Sequence, residues 1–379
     1  MTIILFIVVL AILILVHEVG HFVTSKLFGI RVDEFGLGLP PKIWGLKFGE
    51  TVYSLNWLPL GGFVKIFGED PNEENTTGPD SARSFINKPK WQQAIVLVAG
   101  VFLNLVFAWL LISINLGLGM PASLDSLPQG LKIQNQSLTI VTVLKDSPAG
   151  KAGLAVGDQL ISLSAGKEKT DQLSVEAVHD FTSQFPDQPI KVEYRRPSSP
   201  DDGLLKATQR PSSGRFVTVI PKLGITGDGA AIGIAMQNIG FVSASWWQAP
   251  FYGLFFTYHL IANTLLAFGD FFSNIFTEGR GALGTIAGPI GIYGLVSDAS
   301  RLGFVYLLNF TALISINLAI LNLLPFPALD GGRLLFVVIE AIIRRPINPK
   351  IANALNTIGF GLLILLMAVI AISDVFKLL

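Results

Sequence analysis

The residues with the clearest chemical potential lie near the start of the chain, in His17-Glu18-Val19-Gly20-His21. On a helix the four-residue spacing puts both imidazoles on one face, where they can share a divalent ion, and it leaves Glu18 beside them. That pattern suits metal-assisted hydrolysis, with zinc held by His17 and His21 and with Glu18 as the general base that takes a proton from water. A catalytic zinc usually has three protein ligands and one open position. The chain has no cysteine, so the third ligand must be His, Asp or Glu. His179 and His259 are the only other histidines; one falls in a polar region and the other on a polar helical stripe, so both read as ordinary surface or interface residues. Asp330 is the stronger candidate, in the run Asn322-Leu-Leu-Pro-Phe-Pro-Ala-Leu-Asp330-Gly-Gly332. Pro325 and Pro327 break helical hydrogen bonding there, and irregular backbone at membrane depth is tolerated only where protein buries it or a cavity receives it. The competing role for Asp330 is to cap a helix starting at Gly331.

These residues must be positioned by apolar elements. The 379-residue chain is 51% hydrophobic with a mean hydropathy of +0.57, which places it in the membrane class. With 27 basic and 27 acidic residues the formal net charge is zero, so nothing points to nucleic acid. The first 16 residues lack a basic start and a small-residue cleavage site, and they read as retained membrane helix. Residues 3–25, 93–117, 250–276, 304–328 and 356–376 are long and apolar enough to be considered as spans. Ionisable groups inside such a segment, as His17, Glu18 and His21 are, signal function by default.

Loop charge sets the orientation. Lys26, Arg31, Lys42, Lys47, Lys65, Arg83, Lys88 and Lys90 lie between the first two stretches, which makes that connection cytoplasmic. Arg333, Arg344, Arg345 and Lys350 place the connection after the fourth stretch on the same side. Five crossings would put Asp330 on the far side, so one stretch must not cross. The weakest is 250–276, where His259, Asn263, Asp270 and Asn274 form a polar stripe suited to a helix lying in the interface with Trp246 and Trp247 at headgroup level. The expected topology is four spans plus one interfacial helix, with both termini outside.

Between the second and third stretches lies a polar region of about one-domain size. Ile140–Leu144, DQLISLSA, IKVEYRR and RFVTVIP alternate as strands, and Val175–Phe185 has helical spacing, which predicts a small α/β domain. Its run SPAGKAGLAVGDQLISLSAG resembles the PDZ signature. Residues 51–69, with the break at Gly61-Gly62, suggest a hairpin.

Together, VHEVGH, GGFVKIFGE, the PDZ-like insert, GPIGI and NLLPFPALDGG resemble the site-2 protease family (peptidase M50), in its bacterial RseP-like branch with one PDZ domain. The resemblance covers nearly the whole chain. It implies a polytopic α-helical membrane protein of about four transmembrane helices, with a membrane-associated β-hairpin region and an inserted small α/β PDZ-like domain. The corresponding divisions are 1–118, 119–238, 239–303 and 304–379. It further implies zinc bound by His17, His21 and Asp330, with Glu18 as base. Asn322, with Gly61, Gly62 and Phe63 of the β-loop, would hold an extended substrate backbone by strand addition. The implied activity is cleavage of transmembrane segments of single-pass proteins, such as anti-sigma factors or signal-peptide remnants, in the bacterial inner membrane. The PDZ-like domain would lie outside and could bind a peptide or a C-terminus. One departure stands out: the second stretch reads Ala99-Gly100-Val101-Phe102-Leu103-Asn104, without the proline that often follows the glycine. The alternatives are a membrane-anchored PDZ scaffold with a non-catalytic metal site, and a transporter with a broken helix, which would show inverted repeats; none is seen between the two halves.

Overall fold

In the computed structural model the described residues are 2–69, 73–124, 127–144, 146–196, 214–224, 229–278 and 288–378. Parts of the expected divisions, notably 197–213 and 279–287, lie outside them. The chain separates into two compact units, one made of Met1–Ile112, Gly253–Ser297 and Phe310–Leu379, the other of Ser113–Tyr252 and Asp298–Asn309.

The long helices follow the apolar stretches. They are α1 (Thr2–Leu27), α2 (Lys90–Leu118), α4 (Ala249–Glu278), α6 (Phe304–Leu323) and α8 (Pro349–Leu378); α3 (Val175–Gln184) belongs to the second unit, and α5 (Pro289–Leu302) and α7 (Asp330–Ile343) are shorter. Among the described residues, five helices are long and apolar enough to cross a membrane, with mean hydropathies from 2.9 for α1 down to 1.3 for α4. Ile358, Phe360, Leu362, Leu365 and Met367 of α8 are exposed on the isolated chain, an apolar surface that lipid would cover. On α4 the expected stripe residues His259, Asn263, Asp270 and Asn274 are all exposed, whereas Thr257 and Thr264 are buried.

The fourth stretch is shorter than its hydropathy suggested. Helix α6 stops at Leu323, five residues before the expected end at 328, because Pro325 and Pro327 cannot continue the ladder. The chain then bends through Ala328, at φ 75°, whose N–H is 3.3 Å from the Asn356 side-chain oxygen of α8. Helix α7 opens with Leu329 as N-cap, which offers no side-chain bond, and Asp330 is its first residue. Asp330 is therefore not the cap. Gly331 and Gly332 allow the turn to close, since a Cβ on either would stand 2.4 Å or less from the carbonyls of Leu323, Leu324 or Phe326.

The expected hairpin within 51–69 is instead half of a larger pairing. Strand β1 (Val32–Phe48) and strand β2 (Thr51–Ile66) are antiparallel partners. Both double back, so that Glu34–Leu37 has neighbours on both sides: Val52–Leu55 on one and Gly62–Lys65 on the other. Gly61-Gly62 lies where β2 changes sides rather than in a hairpin turn. Ile30, Val32, Val64, Ile66 and Phe85 pack with Val96 and Leu97 of α2 and Val337 of α7 in one buried cluster. Beside it, Arg333 of α7 pairs with Glu69 just past β2.

The second unit carries a seven-stranded sheet. Along it lie β3 (Met120–Ser123), β11 (Ile234–Ser243), β4 (Lys132–Val143), β5 (Gln159–Ala165), β7 (Ile190–Arg195) and β8 (Arg215–Val219), with β6 (Glu168–Thr170) off β5. A two-stranded ladder joins β9 (Lys222–Leu223) and β10 (Ala230–Ala231). Helix α3, capped by Ser174 accepting from Ala177 N–H, sets Val178 and Phe181 into a core with Ile140, Leu163, Ile190 and Val192. The strand read at Ile140–Leu144 begins earlier, at Lys132, and β3 and β11 were not anticipated. The outer half of β4 is mostly exposed, so alternation gave no signal there.

Candidate metal centre

Three side chains from opposite ends of the first unit converge. His17 Nε2 is 2.9 Å from Asp330 Oδ2, His21 Nε2 is 3.3 Å from the same oxygen, and the two imidazole nitrogens are 3.2 Å apart. Both histidines are 7% exposed. Among the described residues this is the only group of three or more potential His, Asp or Glu ligands. Ligands at ordinary zinc distances of 2.0–2.1 Å in a tetrahedron are about 3.3 Å apart. The observed triangle is thus close to the right size for one zinc ion, and the two-imidazole, one-carboxylate donor set suits that metal without any thiolate.

Helix α2 forms the back wall. A Cβ on Gly20 would lie 2.4 Å from the Ala99 carbonyl oxygen, and one on Gly100 would lie 2.5 Å from His21 Nε2 and 2.8 Å from His17 Cε1. Glycine at both positions lets α1 and α2 meet backbone to backbone. The Val96 carbonyl stands 2.8 Å from His21 Nδ1, and Asn104 Nδ2 stands 3.3 Å from His17 Nδ1. The missing proline is no loss to this wall, because α2 runs unbroken past Val101 and keeps both contacts.

In front lies a cavity of about 220 Å³ lined by Ile14, His17, Glu18, Leu318, Asn322, Ala328, Leu329 and Asp330. The Val64 backbone hydrogen-bonds Glu18, and Asn322 Nδ2 is 3.4 Å from His17 Nε2. The β2 segment passes close by: a Cβ on Gly62 would be 3.4 Å from Glu18 Cγ and 3.2 Å from Ile14 Cγ2. The Phe63 ring lies over Gly36, where an added Cβ would stand 2.4 Å from it. Gly61 is partly exposed. His179 and His259 take no part; the former lies in the second unit, and the latter packs against Phe255 with ring centroids 4.2 Å apart and the planes tilted by 56°. Sequence reasoning missed Val96, whose backbone carries no residue signature. Nor does the sequence reveal that Gly100 lies against both rings.

The chain is similar to known proteins along its length. A profile of peptidase family M50 matches residues 5–366. A protein of Clostridium perfringens is 33% identical over 371 residues, covering 96% of this chain and 95% of its own. Zinc metalloprotease RasP of Shouchella clausii is 26% identical, covering 100% of this chain and 99% of its own. Regulator of sigma-W protease RasP of Bacillus subtilis is 28% identical with the same two coverages.

Proposed function

Because this chain belongs to peptidase family M50 and is a zinc metalloprotease built around several membrane-length apolar helices, we propose that it cleaves peptide bonds inside the bilayer at the His17, His21 and Asp330 centre. The observation that carries this reading is the triangle of three ligand atoms opening onto a cavity that Glu18 also lines. His17, His21 and Asp330 would hold the zinc, which supplies Lewis acidity toward a peptide carbonyl and toward water. Glu18 takes the proton of the attacking water on its carboxylate and returns it to the leaving amine. Asn322, beside the open position, offers an amide to the peptide backbone.

A transmembrane helix hides its amides in its own hydrogen bonds, so cleavage needs it unwound. The Gly62–Lys65 segment pairs with Glu34–Leu37 on one side and runs past Glu18. Strand addition there would hold a substrate extended, with Gly61, Gly62 and Phe63 in the contacting stretch.

The topology is four spans with α4 in the interface and both termini outside. Lys90, at the start of α2, pairs with Glu340 of α7 at 2.6 Å, and Arg333 pairs with Glu69, which favours α7 lying on the cytoplasmic side with the basic connection. On the outer side, Asp374 near the end of α8 accepts from Gly291 N–H of α5 at 2.9 Å, and Phe6 of α1 meets Tyr293.

The second unit, read as a PDZ-like domain outside the membrane, would admit single-pass substrates whose outer part another protease has already shortened. The test is Glu18→Gln in detergent-solubilised protein. It should keep its zinc and lose cleavage of a model transmembrane substrate; retained turnover would reject Glu18 as the base. The competing reading, a membrane-anchored PDZ scaffold with a non-catalytic metal site, predicts that Glu18 is dispensable.

A further inference from the structure

Val96, Gly100 and Asn104 follow one another at intervals of four along α2, and all three touch the imidazoles of α1. A carbonyl only accepts, so the Val96 contact fixes the proton of His21 on Nδ1 and leaves the Nε2 lone pair facing the metal position. His17 also turns its Nε2 to that position, 2.9 Å from Asp330 Oδ2. Its own Nδ1 must then carry a proton, and the proton needs an acceptor. Asn104 stands at that nitrogen, 3.3 Å away, and is 0% exposed. With the amide nitrogen facing His17, the Asn104 Oδ1 is buried and has no partner. An amide fits either way round, and half a turn about Cβ–Cγ brings the oxygen to His17 Nδ1–H. The backbone beneath is fixed, since Ser315 of α6 donates to the Asn104 carbonyl at 2.8 Å.

We propose that Asn104 is a positioning residue whose side-chain oxygen accepts the His17 Nδ1 proton and so selects the imidazole form that binds zinc through Nε2. The inference rests on the reading of His17 as a zinc ligand. It makes α2 the helix that sets both tautomers, one through a backbone carbonyl and one through a side chain.

The experiment uses the full chain in detergent, stripped of metal, with zinc titrated against a chromophoric chelator and cobalt(II) used as a visible probe. Asn104→Asp keeps an acceptor of the same shape and should bind zinc within about threefold of the unaltered chain, whereas Asn104→Leu should bind about tenfold or more weakly. The cobalt spectrum should shift in the leucine variant alone. Unchanged affinity and spectrum in Asn104→Leu, or an equal loss in Asn104→Asp, overturns the proposal. Protease resistance of the metal-free forms verifies folding, and Asn104→Ala, which also lacks an acceptor, replaces the leucine variant if that one fails to fold. His17→Ala separates the two readings: full zinc affinity there rejects His17 as a ligand, while a loss there with none in Asn104→Leu rejects only the role of Asn104.

Discussion

Gly100 has room for a hydrogen and nothing larger. A methyl group there would stand 2.5 Å from His21 Nε2 and 2.9 Å from His17 Nε2, so Gly100→Ala must push the rings or the two helices apart. Zinc affinity should fall by about tenfold or more, read by the same chelator competition; wild-type affinity would show that α2 does not hold the rings. At this scale the sequence was partly legible. The HExxH spacing named His17, Glu18 and His21 because one helical face suffices to bring them together. Asp330, 309 positions beyond His21, required the double-proline break and a family resemblance. Val96 carries its role in the backbone, where no residue type can announce it.

Electrostatic clamps do the corresponding work between elements. In the turn between β1 and β2, Glu50 receives Lys26 at 2.5 Å and also Arg83. The Lys26 hydrogen bond is the largest influence, with burial opposing it and Arg83 assisting, and the Glu50 carboxyl is held below its ordinary value of 4.5. The folded chain therefore binds this proton less readily than the unfolded chain. Its stabilisation is complete above the ordinary value and is lost as pH falls through the lowered one. Glu50→Gln should cost at most about 1 kcal/mol at neutral pH, because the carboxylate is partly exposed. Thermal unfolding should show the gap closing below about pH 4.5; a gap that persisted in acid would assign the effect to packing. In the second unit, Asp158 is 0% exposed and takes two bonds from Arg196, at 2.6 and 2.7 Å. Arg196→Ala leaves that carboxylate buried with the Ala155 N–H at 2.9 Å, and should destabilise by about 2–3 kcal/mol in denaturant unfolding. An unchanged midpoint would mean that water reaches Asp158. The apolar helices were legible because hydropathy is a local property. The β1–β2 sheet was not, because Glu34–Leu37 pairs with two distant segments at once and no window of sequence contains them all.

For the whole molecule, the absence of cysteine makes every introduced thiol unique. Single cysteines at Lys47 and Arg345 should react with an impermeant reagent only after the membrane is opened, and one at Lys167 should react before. Opposite accessibility of Lys47 and Arg345 would mean that α4 crosses, and Asp330 could then not join His17. The most direct measurement is zinc K-edge absorption on the purified chain. One zinc per chain should show two imidazole nitrogens at about 2.0–2.1 Å with the remaining ligands oxygen, and Asp330→Ala should lose the metal or change that shell. A zinc without two imidazoles, or a shell unaltered by Asp330→Ala, would contradict the convergence of His17, His21 and Asp330 on a single ion.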